Sequence, residues 1–123
     1  GLLRGCIGTI EPTQANIVEE VVENAVSAAT RDSRFDPVSP AEVPDLDVTV
    51  DVLGEPETVS GLDDLDPKRY GVIVSRGSRR GLLLPDLEGI DTPEQQVSIA
   101  RRKAGIDPEE TVKLERFLVT RYQ

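Results

Sequence analysis

Residues 70–84 read Tyr-Gly-Val-Ile-Val-Ser-Arg-Gly-Ser-Arg-Arg-Gly-Leu-Leu-Leu, and this stretch decides the fold class. Two apolar runs, at residues 70–75 and 81–84, flank a five-residue link that contains a glycine. A link of this length and composition between two apolar runs predicts a β-hairpin.

The elements around this hairpin do not follow a strict βαβ order. Polar and apolar residues alternate over residues 47–53, which predicts a strand with one wet face. Thr92 and Gln95 have the spacing of a capping box, and the helix that they begin is predicted to end at Gly105. Residues 112–122 are predicted to form a final strand, with a helix over residues 111–118 as the alternative. The class is therefore α+β, with a mostly antiparallel sheet and about two main helices packed on it.

The strongest helix signal covers residues 17–29, where apolar side chains recur at helical spacing on one broad face. Asn16 and Glu19 have capping-box spacing at its start. Arg31 lies at its end, where a positive charge suits the helix dipole.

Three weaker patterns complete the outline. Residues 2–10 are predicted to form a strand broken by glycines, which mark a bulge or a close backbone approach. A short helix is predicted to begin after Ser39 and to be limited by Pro44. Residues 54–68 are predicted to be a loop with a turn of helix near residues 62–65.

The composition excludes several classes of function. The chain has 123 residues, 14 basic and 23 acidic, with a formal charge of −9, no histidine and one cysteine. The length fits one small domain. Without histidine, Ser-His-Asp and Cys-His catalysis and histidine metal sites are excluded, and one cysteine excludes an internal disulfide and a four-cysteine metal centre. The acidic excess argues against nucleic acid as a partner.

The sequence predicts no cofactor and no metal site, since its carboxylates match no calcium-loop spacing. No apolar run approaches the roughly 20 residues that a membrane span needs, and no signal peptide pattern opens the chain. We therefore expect a cytoplasmic protein that does not enter a membrane.

Arg4-Gly5-Cys6-Ile7-Gly8-Thr9 is the densest cluster of unusual residues. The thiol of Cys6 beside the guanidinium of Arg4 is typical of a nucleophile or redox thiol, and the backbone around Gly5 and Gly8 is suited to an anion site. The alternative is a buried cysteine in a glycine-kinked strand, which acts as a small hydrophobic residue.

A second cluster, Asp32-Ser33-Arg34-Phe35, follows the main helix. Asp32 and Arg34 are predicted either to form a fixed charge constellation in a cleft or to belong to an ordinary helix end. In the second case Arg34 caps carbonyl groups and Phe35 enters the core.

Leu3-Arg4-Gly5-Cys6-Ile7-Gly8 resembles the signature of the AMMECR1 family. The resemblance continues in order through Asp32-Ser33-Arg34-Phe35, Glu42-Val43-Pro44, Leu84-Pro85, Lys103-Ala104-Gly105 and Arg121-Tyr122. It is greatest to the bacterial branch called AmmeMemoRadiSam system protein A. The resemblance implies a single AMMECR1-like domain over residues 1–123, from which the family's N-terminal helix and strand are missing.

The resemblance implies partners rather than a reaction. The branch name records genomic association with a Memo-like protein, related to extradiol dioxygenases, and with a radical-SAM protein. Many family members have histidine before the glycine that is Gly71 here, where this chain has Tyr70. A phenol can donate a proton or a hydrogen bond, so Tyr70 is a candidate ligand-binding residue.

Two hypotheses about the function follow, one of a binding protein and one of an enzyme. In the first, the chain is an accessory module that binds a partner or a small anionic ligand, and the candidate ligand-binding residues are Arg4, Gly5, Gly8, Asp32, Arg34 and Tyr70. In the second, the chain is a thiol-dependent enzyme. Its catalytic residue is then Cys6, with an anionic substrate on the two arginines and with proton transfer by Asp32 or Tyr70.

Overall fold

The computed structural model describes residues 2–123, which form two compact units. The first unit contains the residues up to 50 with Gln123, and the second contains residues 51–122. The elements in chain order are α1 Ile17–Thr30, a 3-10 helix Pro40–Asp45, β1 Val50–Leu53, β2 Glu57–Val59, a 3-10 helix Leu62–Asp64, β3 Gly71–Arg76, β4 Arg79–Leu83, α2 Pro93–Ala104, β5 Lys113–Phe117 and β6 Val119–Tyr122. Helices and antiparallel strands together confirm the α+β prediction.

The second unit is built on a four-stranded antiparallel sheet in the order β2-β5-β3-β4, and β1 pairs with β6 in a smaller sheet. The predicted hairpin is confirmed, but its link is only Gly77-Ser78, because Arg76 and Arg79 pair across the two strands. Gly77 has a φ of 60°, the left-handed conformation that a two-residue hairpin turn requires.

Helix α2 packs on β3 and β4 and closes the core. Both bonds of the predicted capping box between Thr92 and Gln95 are present, and Gly105 ends the helix with a φ of 70°. At Gly81 an added Cβ would lie 2.1 Å from the carbonyl oxygen of Ala100, so the glycine allows the helix to approach the sheet closely. The core side chains are those of Leu65, Val72, Val74, Leu83, Val97, Ala100 and Ile106.

In the first unit, α1 begins as predicted, with the Asn16 side chain accepting the backbone N–H of Glu19 at 2.9 Å. The short helix after Ser39 is confirmed as a 3-10 helix, which extends one residue past Pro44. The apolar face of α1 is not a core face, because none of its residues is buried.

Four strand or loop predictions need correction. Residues 2–10 form no strand; the backbone of Cys6 bonds to side chains instead of to a neighbouring strand. The strand predicted over 47–53 begins only at Val50. The predicted loop over 54–68 contains β2, which pairs with the distant β5. The final strand over 112–122 is two strands in different sheets, interrupted at Leu118.

Candidate functional site

The candidate site lies in the first unit, where residues 3–9, called the signature loop below, meet the chain that follows α1. Asp32 is the buried residue of this site, with 6% of its surface exposed. Its Oδ2 accepts the backbone N–H of Cys6 at 3.0 Å and the Nη2 of Arg34 at 2.7 Å. Its Oδ1 accepts the backbone N–H of Arg34 at 3.1 Å and the Nε of Arg34 at 3.0 Å.

This arrangement fixes the charge state of Asp32. The hydrogen bonds from the Arg34 side chain and from the Cys6 backbone hold the pKa of Asp32 well below its usual range. The pKa of Arg34 is raised by the hydrogen bond and the charge of Asp32, and to a smaller extent by the charge of Cys6. Asp32 is therefore a carboxylate at neutral pH and is unsuited to donate a proton.

Arg34 also joins the two segments directly. Its Nη2 donates to the carbonyl oxygen of Cys6 at 3.3 Å, while the guanidinium carbon lies 5.2 Å from the centre of the Phe35 ring. The Arg34 side chain is 60% exposed. Asp32 and Arg34 form the fixed charge pair of the first prediction, and Phe35 is only half-buried, so it does not enter the core as the helix-end alternative predicts. That the pair lies in a cleft stays a prediction.

Arg4 is held at a different place in the unit. Its Nη1 donates to the carboxylate of Glu42, and its Nη2 donates to the carbonyl oxygen of Asp36 at 3.1 Å. Glu42 also accepts the backbone N–H of Ser39 at 2.8 Å, at the start of the 3-10 helix. The second role of Glu42 depends on a partner 38 residues away, which local spacing does not indicate.

The two glycines of the signature loop differ in the space that surrounds them. An added Cβ at Gly5 would lie 1.8 Å from the carbonyl oxygen of Ala28, so the loop passes directly over α1 at this point. An added Cβ at Gly8 would have no heavy atom within 4 Å. Between them, Cys6 is exposed, so the prediction of a buried cysteine in a strand is wrong.

Tyr70 belongs to the second unit, where it is half-buried. The guanidinium carbons of Arg69 and Arg116 lie 5.1 Å and 4.3 Å from the centre of its ring. It borders a cleft of about 230 Å³ lined by Gly54, Glu55, Glu57, Tyr70, Arg116, Phe117 and Leu118. The role of Tyr70 in ligand binding stays a prediction.

Two further properties bear on the class of site. Among residues 2–123, no group of three or more histidine, cysteine, aspartate or glutamate side chains is placed to hold a metal ion. In the same part of the chain, neither α-helix has the length and apolar character needed to cross a bilayer.

Comparison with known proteins identifies relatives along the whole chain. The model of the AMMECR1 family matches residues 1–123. A protein from Thermotoga maritima is 56% identical over all of this chain and 71% of its own length. Protein CA_C1420 from Clostridium acetobutylicum is 52% identical over all of this chain and 26% of its own length.

A solved structure shows the same fold. The uncharacterized protein PH0010 from Pyrococcus horikoshii matches with a TM-score of 0.79 and 32% identity, over 96% of this chain and 63% of that one. The chain thus spans only part of the length of each of these relatives.

Proposed function

The chain belongs to the AMMECR1 family, and from that premise we propose that it is a non-catalytic accessory module that binds a partner through the surface built on Asp32. One observation carries the proposal. The buried carboxylate of Asp32 accepts four hydrogen bonds, which hold the backbone of Cys6 and the guanidinium of Arg34 in one arrangement.

A fixed arrangement of this kind favours recognition. Groups that are already held in their binding geometry lose less conformational entropy when a partner arrives. The Cys6 thiol and much of the Arg34 guanidinium remain exposed on this surface. The exposed guanidinium suits a carboxylate or phosphate group of the partner or of a small anionic ligand.

The same arrangement argues against Asp32 as a proton-transfer residue. A general base works best when its pKa lies near the operating pH. The pKa of Asp32 is shifted in the opposite direction, and both of its oxygens already accept hydrogen bonds. Its role in the proposal is to position the signature loop.

The candidate partners are the Memo-like and radical-SAM proteins that the resemblance implies. The test is binding of the purified chain to each recombinant protein by titration calorimetry. We expect Arg34→Ala to weaken a complex by at least about tenfold, since an exposed arginine at the centre of an interface is a frequent hot spot.

Arg31→Ala is the matched control for this experiment. Arg31 lies in the same unit and is 57% exposed, and its side chain donates to Glu23 and Ser27 rather than to Asp32, so its loss should change affinity by less than about twofold. Circular dichroism establishes that both variants are folded. Equal affinities for the two variants, or no complex with either protein, would overturn the proposal.

The exposure of Cys6 favours one alternative, a thiol-dependent enzyme acting on an anionic substrate. The two functions differ in their response to Cys6→Ser. An accessory module keeps its partner affinity in this variant, while a thiol enzyme loses all turnover. Faster alkylation of Cys6 in the folded chain than in the unfolded chain would favour the enzyme.

A further inference from the structure

Half of the basic residues of the chain lie in two short segments of the second unit. Residues 76–80 and 101–113, called the basic surface below, contain seven of the 14 basic residues and three of the 23 acidic ones, a net charge of +4. The remaining 105 residues contain seven basic and 20 acidic residues, a net charge of −13. Positive charge is therefore concentrated in these two segments of an otherwise acidic chain.

The fold brings the two segments together at the tip of the β3-β4 hairpin. The Nη1 of Arg76 donates to the carbonyl oxygen of Thr111 at 2.7 Å. The Nη1 of Arg79 donates to the carbonyl oxygen of Gly105 at 2.8 Å. These bonds connect the hairpin with the residues that follow α2, so the charges of both segments lie side by side.

Several hydrogen bonds of the basic surface hold a cation without neutralising it. The Nη1 of Arg101 donates to the carbonyl oxygens of Asp107 and Glu110, at 2.7 Å and 3.0 Å. The Nζ of Lys103 donates to the carbonyl oxygen of Leu82 at 2.6 Å. A carbonyl group carries no net charge, so these side chains are fixed in place while their positive charge is kept.

The side chain of Glu110 shows how the basic surface binds a carboxylate. Its two oxygens accept from the Nη2 and the Nη1 of Arg79 at 2.7 Å and 3.1 Å, the paired geometry that a guanidinium favours. The Nε of Arg76 lies 3.5 Å from the same carboxylate. The side chains of Arg76 and Arg79 are still 46% and 40% exposed, so acidic groups of another molecule can reach them from solvent.

We propose that the basic surface binds an acidic segment of a partner protein, a short stretch rich in aspartate and glutamate. Five of its seven basic residues are arginine, whose planar group binds carboxylates through two N–H groups. Nucleic acid is disfavoured, because an extended row of phosphates also meets the field of the 20 acidic residues outside this surface. The basic surface lies in the second unit, so the inference goes beyond the proposed function, whose surface is built on Asp32.

A charged surface differs from an apolar one in what can cover it. Water solvates exposed guanidinium and ammonium groups, and burying them costs free energy unless the covering molecule supplies partners. The basic surface is therefore stable in water and favours an occupant that supplies negative charge.

The probe is a fluorescent peptide of about 12 residues in which glutamate alternates with glycine, and a matched peptide has glutamine in place of each glutamate. We expect the glutamate peptide to bind at least about tenfold more tightly at low salt, and added salt to reduce the difference. Equal binding of the two peptides would overturn the inference. A single-stranded oligothymidine of the same length that binds more tightly than the glutamate peptide would assign the surface to nucleic acid and would also overturn it.

Because the relatives are longer than this chain, binding is measured on residues 1–123 and on the full protein that the gene encodes. We expect affinities for the glutamate peptide that agree within about threefold. Binding at least about tenfold weaker by the full protein would show that its own chain covers the basic surface, and the inference would be wrong.

Two double variants locate the binding site. Arg76→Gln combined with Arg102→Gln removes two charges of the basic surface and should weaken binding of the glutamate peptide by at least about fivefold. Lys68→Gln combined with Arg69→Gln is the matched control, because both residues are exposed in the same unit but outside the basic surface. It should change the affinity by less than about twofold. Thermal unfolding checks that both variants fold, and equal losses in the two would contradict the inference.

Removal of a carboxylate should have the opposite effect. Glu110→Gln frees the paired N–H groups of Arg79 and should strengthen binding of the glutamate peptide by at least about threefold. Glu109→Gln is its control, because Glu109 is exposed in the same segment and its loss changes the net charge equally. Equal gains in the two variants would mean that net charge alone governs binding, and the inference would be wrong.

Arg34→Ala separates this inference from the proposed function. Arg34 lies in the first unit, so we expect its loss to leave binding of the glutamate peptide unchanged. A loss of affinity in Arg34→Ala would show that the peptide binds at the Asp32 surface, which would overturn this inference but not the proposed function. Failure of the glutamate peptide to bind would likewise overturn this inference alone, because the proposed function is tested with recombinant partners.

Discussion

Replacing Gly5 with alanine tests the closest approach between the signature loop and α1. The added Cβ would lie 1.8 Å from the carbonyl oxygen and 2.7 Å from the carbonyl carbon of Ala28. Both are backbone atoms of a helix, so neither moves away at low cost. An ordinary van der Waals contact begins near 3.4 Å, so the loop has to move by more than 1 Å.

The free-energy cost depends on whether the methyl group is forced into the contact or the loop is released from α1. Forcing a methyl group into a packed site typically costs about 1–3 kcal/mol. Release of the signature loop from α1 avoids that cost but breaks the hydrogen bond from the Cys6 N–H to Asp32 and the one from Arg34 to the Cys6 carbonyl oxygen. Because most of the loop is exposed, we expect release rather than global unfolding.

The assay is hydrogen exchange at the Cys6 amide, which reports the bond to Asp32 directly. In Gly5→Ala, we expect the Cys6 amide to exchange about as fast as an amide of an unstructured peptide, while the amides of α2 stay protected. Gly8→Ala is the control, since an added Cβ there has no heavy atom within 4 Å. Unchanged protection at Cys6 in Gly5→Ala would refute the close approach, and equal loss in both variants would show that any alanine loosens the loop.

Three other predictions concern stability. The hydrogen bond from Arg79 lowers the pKa of Glu110 from 4.5 to about 2. Glu110 therefore contributes stability above pH 4.5 that is lost as the pH falls towards 2. In urea unfolding, the free energy of unfolding of Glu110→Gln should fall less over this pH range than that of the wild type. Gly105→Ala should lower the free energy of unfolding by about 1–2 kcal/mol, because φ is 70° at this residue; Gly8→Ala, whose φ is not positive, should not. Asn16→Ala should cost about 1 kcal/mol in the same measurement, because it removes the N-cap of α1. A variant as stable as the wild type would contradict the corresponding contact.

The sequence predicts elements well where a local signal determines them. Thr92, Gln95 and Gly105 define α2 to the residue at both ends, because caps act on the backbone within one turn. The hairpin is also predicted correctly, because two apolar runs and a glycine in the short link between them are a local signal. The two-residue turn at Gly77-Ser78 is not predicted, since the register of the strands depends on cross-strand pairing as well as on composition.

Elements that depend on distant partners were missed. Strand β2 is rich in polar residues and becomes a strand only by pairing with β5, more than 50 residues away. Residues 2–10 have strand-like composition, but the backbone of Cys6 within them bonds to the side chains of Asp32 and Arg34. Composition does not distinguish these cases, because an extended segment takes whichever hydrogen-bond partners the fold brings to it.

In the candidate site, too, the sequence predicts which residues matter but not which distant partners they contact. Resemblance and residue type selected Arg4, Cys6, Asp32 and Arg34, and the structure places Cys6, Asp32 and Arg34 in one hydrogen-bonded cluster. The pairing of Arg4 with Glu42 was missed, because an arginine can pair with any of many carboxylates in an acidic chain. Only the three-dimensional arrangement shows that Arg34 keeps 60% of its side chain exposed while it is paired with Asp32, whereas Arg4, which is paired with Glu42, keeps only 28% exposed.

Helix α1 carries the contact with the signature loop and also forms one wall of an apolar groove that Val38 and Val43 line from the other side. Ala28 lies beneath Gly5 of the signature loop, and the next residue, Ala29, lines the apolar groove. Successive residues of a helix are about 100° apart, so the two surfaces lie on neighbouring faces of the same turn. The loop meets backbone atoms of Ala28, while Ala29 lines the groove, so a single turn of α1 supports the fixed loop on one face and the apolar groove on the next.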